Sequence, residues 1–330
     1  MSVPRMHIVC PNPALDRIQF LPEFRPYEVN RVTRVISLAG GKGMIVSRGA
    51  RRLGARVNAY GFVGGSVGQF IRQGCDAMGA VDRHVEVNGD TRITPVIIEQ
   101  GTGRSTVLNE KGPHIEPAAE RQLLDDLAAQ IIPGDVVITT GSLPEGCRSD
   151  FHACVLDIAL QGRARALIDA HGAALGAVIA ALSVDDYPND RSKVIIKINV
   201  HELAELLAVR VAAEDDKALA DQVAGLVDRA GATFVVTRGA NGAVWHQAGK
   251  EIYATSPAVA TVNATGSGDS FLAGLGFALG QGQTPDEAMT LASAMGAANA
   301  AVPTPEVDIA LVKALIPRVR TRTTCTSDTP

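Results

Sequence analysis

The sequence predicts an α/β protein with a mostly parallel central sheet, helices on both faces and a second, smaller β layer. Three observations lead there. Short β-branched runs alternate with amphipathic segments, which is the pattern of βαβ units. Glycine is frequent, at 33 of 330 residues, as many tight turns and close backbone approaches require. Two stretches, about 12–37 and 84–112, break the alternation and read as short strands and turns without intervening helices.

Taken in order, the body strands are expected at Met6–Cys10, Arg56–Val63, Asp135–Thr139, Ala164–Asp169, Lys193–Lys197 and Thr233–Thr237, each a short apolar or β-branched run. Helical spacing of apolar residues predicts Lys42–Leu53, Val67–Met78, Pro117–Gln130, Asp150–Gln161, Val200–Ala208 and Glu214–Ala230. Two further helices, Ser267–Gln281 and Pro285–Ala301, are rich in Ala and Gly and suited to close packing. The stretch "VEVNGDTRITPVIIEQGTGRSTVLNE" reads as an antiparallel meander turning at Asn88–Gly89 and Gly101–Thr102–Gly103. With residues 12–37 it is expected to form a lid over a site at the carboxyl ends of the parallel strands. Residues 1–330 then make one domain, and the polar tail, 318–330, is predicted to be disordered.

Composition narrows the function. Hydrophobic residues make up 46% and aromatics 4%, so the core rests on Ala, Val, Leu and Ile. A net charge of -4 gives no reason to expect nucleic acid as a partner. The basic cluster Arg48, Arg51, Arg52 and Arg56 reads as a solvent-facing side of a helix. Five cysteines without a C-x-x-C pair argue for a reducing compartment, and the histidines show no zinc-ligand spacing. "AALGAVIAAL" is the longest apolar run, well short of the roughly 20 residues that span a bilayer. With no signal-peptide apolar region either, the expectation is a soluble cytoplasmic protein that does not engage membranes.

The chemistry concentrates in glycine-rich turns. In "NATGSGDSFLAG", Gly266, Ser267 and Gly268 open a helix, whose first turn offers unpaired amides to an anion. Asp269 directly behind them is either a helix-start residue or a base, and phosphoryl transfer needs both a cradle and a base. "AGGKGMIVSRGARRLG" places Gly40, Gly41 and Lys42 before another helix, without Walker A spacing. No G-x-G-x-x-G follows the first strand, which argues against a Rossmann dehydrogenase. In "IIKINVHELAEL", Asn199 and Glu202 lie on one helical face, where they either hold magnesium through water or form a capping box. "VVTRGANGAVW" and "TTGSLPEG" each put a glycine turn after an apolar strand.

In this order, from "NPALD" (Asn12–Asp16) to about Ala301, these segments resemble the ribokinase/PfkB superfamily of sugar kinases. "GGKG" and "GSGDS" match its two signature regions, while "GSLPEG", "NEKGP" and the Asn199–Glu202 pair look most like its 1-phosphofructokinase and tagatose-6-phosphate kinase branch. The resemblance implies a ribokinase-like three-layer α/β/α sandwich whose β lid forms a homodimer contact. It implies ATP and Mg2+ as cofactors and a sugar phosphate as acceptor. Asp269 would be the catalytic base, with the amides of Gly266, Ser267 and Gly268 as the anion hole. Asp16, Gly40, Gly41, Lys42 and Asn109 would meet the sugar, and Arg92 and Ser142 its phosphate. Thr237, Gly239, Gly242 and Asn299 would hold ATP, and Asn199 and Glu202 magnesium.

The chain departs from the family pattern at several sugar-facing positions. Ile45 stands where the family generally has Asn, and Val107 and Thr94 replace an acid and an Asn. "KPN" reads Lys197–Ile198–Asn199, and "D-T/S-x-G" reads Asp169–Ala170–His171–Gly172. The transfer machinery is intact, and the acceptor is left open. Alternatives are a kinase of an unphosphorylated sugar or nucleoside, or a non-catalytic sugar-phosphate-binding relative.

Overall fold

The computed structural model describes residues 3–211 and 214–325. The chain opens with β1 (Arg5–Val9), β2 (Ala14–Leu21) and β3 (Arg34–Gly40), then α1 (Lys42–Arg52), β4 (Arg56–Tyr60), β5 (Phe62–Val63) and α2 (Gly65–Met78). Four short strands follow, β6 (Val81–Asp82), β7 (Val85–Glu86), β8 (Arg92–Glu99) and β9 (Ser105–Val107). Helices and strands then alternate through α3 (Pro117–Gln130), β10 (Val136–Thr140), α4 (Phe151–Gln161), β11 (Arg165–Asp169), α5 (Gly172–Leu182), β12 (Val194–Asn199), α6 (Val200–Leu207), α7 (Asp216–Ala230) and β13 (Thr233–Thr237). The last part comprises β14 (Ala243–Gln247), β15 (Lys250–Ala254), α8 (Ser267–Gly280), α9 (Pro285–Ala300), α10 (Ile309–Leu315) and β16 (Thr321–Cys325).

The central sheet has the order β16-β15-β14-β13-β12-β11-β10-β1-β4-β6. It is parallel from β6 to β13 and antiparallel from β13 to β16. Because successive strand residues point to opposite faces, each strand feeds two cores. Met6 and Ile8 of β1 pack with α1, α2, α8, α9 and α10, whereas Val9 packs with α3 to α7 on the other side. From β1 the chain first moves outward to β4 and β6, then to β10 and beyond. The β1/β10 junction is therefore the switch point at which an open α/β sheet forms a crevice.

The small sheet has the order β3-β2-β8-β9 and its own apolar cluster of Ile18, Phe20, Val96 and Ile98. It is not the simple antiparallel meander expected. β2 and β8 run parallel, because both leave the carboxyl-end side of the body. β7 pairs with β5 instead, so Asn88–Gly89 connects two sheets and makes no hairpin. Only the β8–β9 hairpin at Gly101–Thr102–Gly103 follows the expectation.

The sequence reading also missed three features. α5 is apolar along its whole length, so no amphipathic stripe marks it, yet Leu175, Val178, Ile179 and Leu182 are buried. The tail expected to be disordered forms β16 through Cys325, while 326–330 lie outside the described residues. Its threonines suit a strand, and Arg322 pairs with Asp216 at 2.8 Å and lies 4.2 Å over the Tyr253 ring. Finally, the arginines of α1 are not one solvated face. Arg48 is 8% exposed, and Arg51 is half-buried and donates to the carbonyls of Met78 and Ala55. Among the described residues no helix is long and apolar enough to cross a membrane.

Replacing Arg322 by Ala should lower unfolding stability by about 0.5–1 kcal/mol, through lost cation–π and ion-pair contacts. A urea titration of the full chain with an unchanged midpoint would show that β16 contributes nothing at the sheet edge.

Candidate active site

The crevice is divided by the turn that opens α8. Gly266 is the N-cap, with a φ of 83° that only glycine adopts without strain. The turn is held from behind by two asparagines. Asn263 accepts from the Thr265 amide (3.0 Å) and donates to the Pro303 carbonyl (3.1 Å). Asn299 is 1% exposed, donates to the Thr265 carbonyl (2.9 Å) and Ser267 Oγ (3.3 Å), and accepts from Ser270 Oγ (3.0 Å). It braces the turn and is not among the residues lining the cavity where ATP contacts were expected.

Each side of the turn faces its own cavity. One, of about 660 Å³, is lined by Thr265, Gly266 and Asp269 together with Asp16, Gly41, Lys42, Arg92, Asn109 and Ser142. The other, of about 400 Å³, is lined by Ala264, Ser267 and Gly268 together with Thr237, Gly239 and Gly242. The Ser267 amide is committed to the Ala264 carbonyl at 3.1 Å. Among the described residues the amides of Gly266 and Gly268 have no protein acceptor. The three-amide cradle expected from sequence thus narrows to two.

The electrostatics rest on residues the sequence reading did not single out. Asp169, at the end of β11, is fully buried and accepts from Lys42 Nζ (3.0 Å) and Lys197 Nζ (3.1 Å). Burial pushes its carboxyl up, but the two lysines outweigh burial and hold it at about 2. Asp269 is 7% exposed and shares no such lysine contact. Burial, aided by the neighbouring Asp169 and Asp16 charges and opposed by Lys42 and Lys197, pushes it up to about 7. One carboxylate is therefore fixed in its charged form and the other titrates near neutrality, the split that lets two acids take different roles.

The larger cavity has a polar end and an apolar wall. Asp16 accepts from the Gly41 amide (3.3 Å), and burial raises its carboxyl to about 6. A Cβ on Gly40 would come within 2.1 Å of that carboxyl, so only glycine fits. Arg92 donates to the carbonyls of Asn12 (2.9 Å) and Glu110 (3.2 Å), but its Nε is buried without a partner. Asn12 joins Arg92 to Ser142, donating to Ser142 Oγ at 3.3 Å. Ile45, Val96 and Val107 supply the apolar wall. Asn12, Asp169 and Lys197 were missed as site residues. The signal available was position, since all three lie at or near the carboxyl ends of strands.

The Asn199–Glu202 pair forms a complete capping box. Asn199 Oδ1 accepts from the amides of His201 (2.9 Å) and Glu202 (3.0 Å), and Glu202 Oε2 accepts from the Asn199 amide (2.8 Å). Glu202 Oε1 lies 3.8 Å from Lys42 Nζ, facing the cluster. Asn199 Oδ1 and Glu202 Oε2 are thus engaged in the cap, and Glu202 Oε1 is turned toward Lys42.

Comparison with known proteins agrees with this architecture. The profile of the pfkB family of carbohydrate kinases matches residues 12–306. A tagatose-6-phosphate kinase of Staphylococcus epidermidis is 31% identical over 289 residues, covering 88% of this chain and 90% of the relative. A phosphofructokinase candidate from Staphylococcus aureus superimposes with a TM-score of 0.78 at 29% identity, over 98% of this chain and 100% of its own. Phosphofructokinase-2 from Escherichia coli in complex with fructose-6-phosphate superimposes with a TM-score of 0.84 at 21% identity, over 96% and 99%.

Two outcomes follow from the geometry. Gly40→Ala should push the Asp16 carboxyl aside and weaken acceptor binding about 10-fold or more, leaving nucleotide binding unchanged in a calorimetric titration. Asp269 has a folded pKa above its unfolded one, so its contribution to stability is present at acid pH and is lost as pH rises through about 7. Asp269→Asn should therefore raise the melting temperature at pH 8 and leave it unchanged at pH 3, where the carboxyl is protonated in the folded and unfolded chain alike. Equal shifts at both pH values would contradict a raised carboxyl.

Proposed function

The chain belongs to the pfkB family of carbohydrate kinases and is a phosphotransferase with an alcohol acceptor, and we propose that it transfers the γ-phosphoryl group of ATP to a hydroxyl of a sugar phosphate. The observation that carries this reading is the α8 turn, which presents Asp269 and Gly266 to one cavity and Gly268 to the other. The buried, partnerless Nε of Arg92 supports a phosphorylated acceptor, because a guanidinium fork suits phosphate. The likeness to a tagatose-6-phosphate kinase supports the same acceptor class.

In this reading Arg92, Ser142 and Asn12 hold the acceptor's phosphate, and Asp16 grips its hydroxyls. Deprotonated Asp269 accepts the proton of the attacking hydroxyl, whose oxygen bonds to the γ-phosphorus as the bond to the β–γ bridging oxygen breaks and ADP leaves. The amides of Gly266 and Gly268 face the charge that develops on the transferring group. ATP occupies the cavity of Thr237, Gly239 and Gly242. Glu202 would hold Mg2+ while Asn199 keeps the cap, and the ion would supply positive charge against the triphosphate. The β lid covers the acceptor cavity, and its exposed Val29, Val32 and Val35 support it as the contact of a homodimer. A sedimentation measurement giving a monomer would remove that last element.

Asp269→Asn should reduce transfer about 10²–10⁴-fold while leaving ATP affinity intact, and a variant turning over normally would reassign the base. Arg92→Ala should raise KM for sugar phosphates by roughly 10–100-fold, as loss of a charge-assisted hydrogen bond does. A wild type that phosphorylates free sugars or nucleosides as well as it does sugar phosphates would favour the kinase of an unphosphorylated acceptor.

A further inference from the structure

The structure assigns Arg48 of α1 a positioning role: its guanidinium holds the glycine loop of the acceptor cavity and the backing of the anion turn at a fixed separation. Arg48 is 8% exposed, so a charged head is kept out of water and must find acceptors inside the protein. It finds two backbone carbonyls from opposite parts of the site. One is that of Ala39 (2.7 Å), the residue before Gly40, Gly41 and Lys42. The other is that of Pro305 (3.3 Å), in the loop after α9.

Pro305 in turn touches the catalytic turn. A Cβ placed on Gly266 would meet the Pro305 Cβ at 3.0 Å, so this proline is the wall behind the N-cap of α8. The same loop is fastened a second time through Asn263 and Pro303, from the other side of the turn. α1 itself is seated against α8 and α9, because Gly49 lets the helix approach Ala273 and Met295. One helix thus carries Lys42 into the charge cluster and Arg48 into the clamp. Nothing else among the described hydrogen bonds joins the end of β3 to the loop after α9.

The clamp matters because the glycine loop and Gly266 line the same acceptor cavity and must both be held around the reacting atoms in the proposed transfer, on which this inference rests. An arginine can bridge both carbonyls through its planar fork, whereas a lysine ammonium reaches them less well. Loss of the bridge should let the 301–306 loop recede from Gly266, while Asp16 loses a nearby positive charge but keeps its Gly41 contact, so substrate affinity should survive better than the rate.

The test compares Arg48→Met, which keeps the aliphatic stem, with Arg48→Lys, both in the full-length protein below their melting temperatures. With ATP and sugar phosphate, Arg48→Met should lower kcat about 10–100-fold with acceptor KM within about threefold, and Arg48→Lys should recover part of the loss. Amide hydrogen exchange, read by mass spectrometry without substrates, should accelerate in 263–268 and 301–306 of Arg48→Met and stay unchanged in β11. Wild-type kcat together with wild-type exchange in Arg48→Met would overturn the positioning role. If the wild type transfers to no sugar phosphate, the proposed function falls, and the exchange measurement alone decides the role of Arg48.

Discussion

Two lysines share one buried aspartate, and the electrostatics of the site follow from that unequal division. Lys42 arrives from the start of α1 and Lys197 from β12, and both bind Asp169 at the end of β11. Removing either partner from such a buried cluster costs on the order of 3–5 kcal/mol, because it strands a charge. The cluster therefore locks three elements at the strand ends. It also turns both ammonium groups toward Asp169, so that they only partly offset the burial that raises Asp269. A structural ion cluster and a carboxyl raised toward neutrality are two consequences of one arrangement.

The same economy appears in the α8 turn. Its two faces line two cavities, so one short segment joins them. What such a turn requires is rigidity, because its working groups are backbone amides that cannot be tuned by side chain. Asn263 and Asn299 supply it from within the C-terminal helical part, and the loop after α9 closes behind. Residues far apart in sequence are spent on holding the Gly266–Asp269 segment still, as preorganised stabilisation of developing charge demands.

Much of the body was legible in the sequence, and the reasons are physical. β13 and α3 fall at their expected bounds, since β-branched runs and an amphipathic stripe mark them plainly. α5 was not legible, because a helix apolar on all sides carries no period. The parallel β2–β8 pairing was hidden because period-two alternation fixes which side chains share a face but not the direction of the neighbour. At the site, glycine turns exposed the Gly266–Asp269 and Gly40–Lys42 segments. The bracing contacts of Asn299 were not legible, because sequence order cannot show that its amide reaches the Thr265 carbonyl. Asp169 and Lys197 stood in altered family motifs, but only the sheet shows that both meet Lys42.

The central claim is that Asp169 takes both lysines and thereby leaves Asp269 able to gain and lose a proton near neutral pH. Carboxyl carbon NMR of aspartate-labelled protein, titrated from pH 4 to 9 and assigned with Asp269→Asn, measures this directly. The expected result is an Asp269 midpoint near 7 that falls well below 7 in Asp169→Asn, where the lysines are released. An Asp269 carboxyl ionised across the whole range, or a midpoint indifferent to Asp169, would contradict the account.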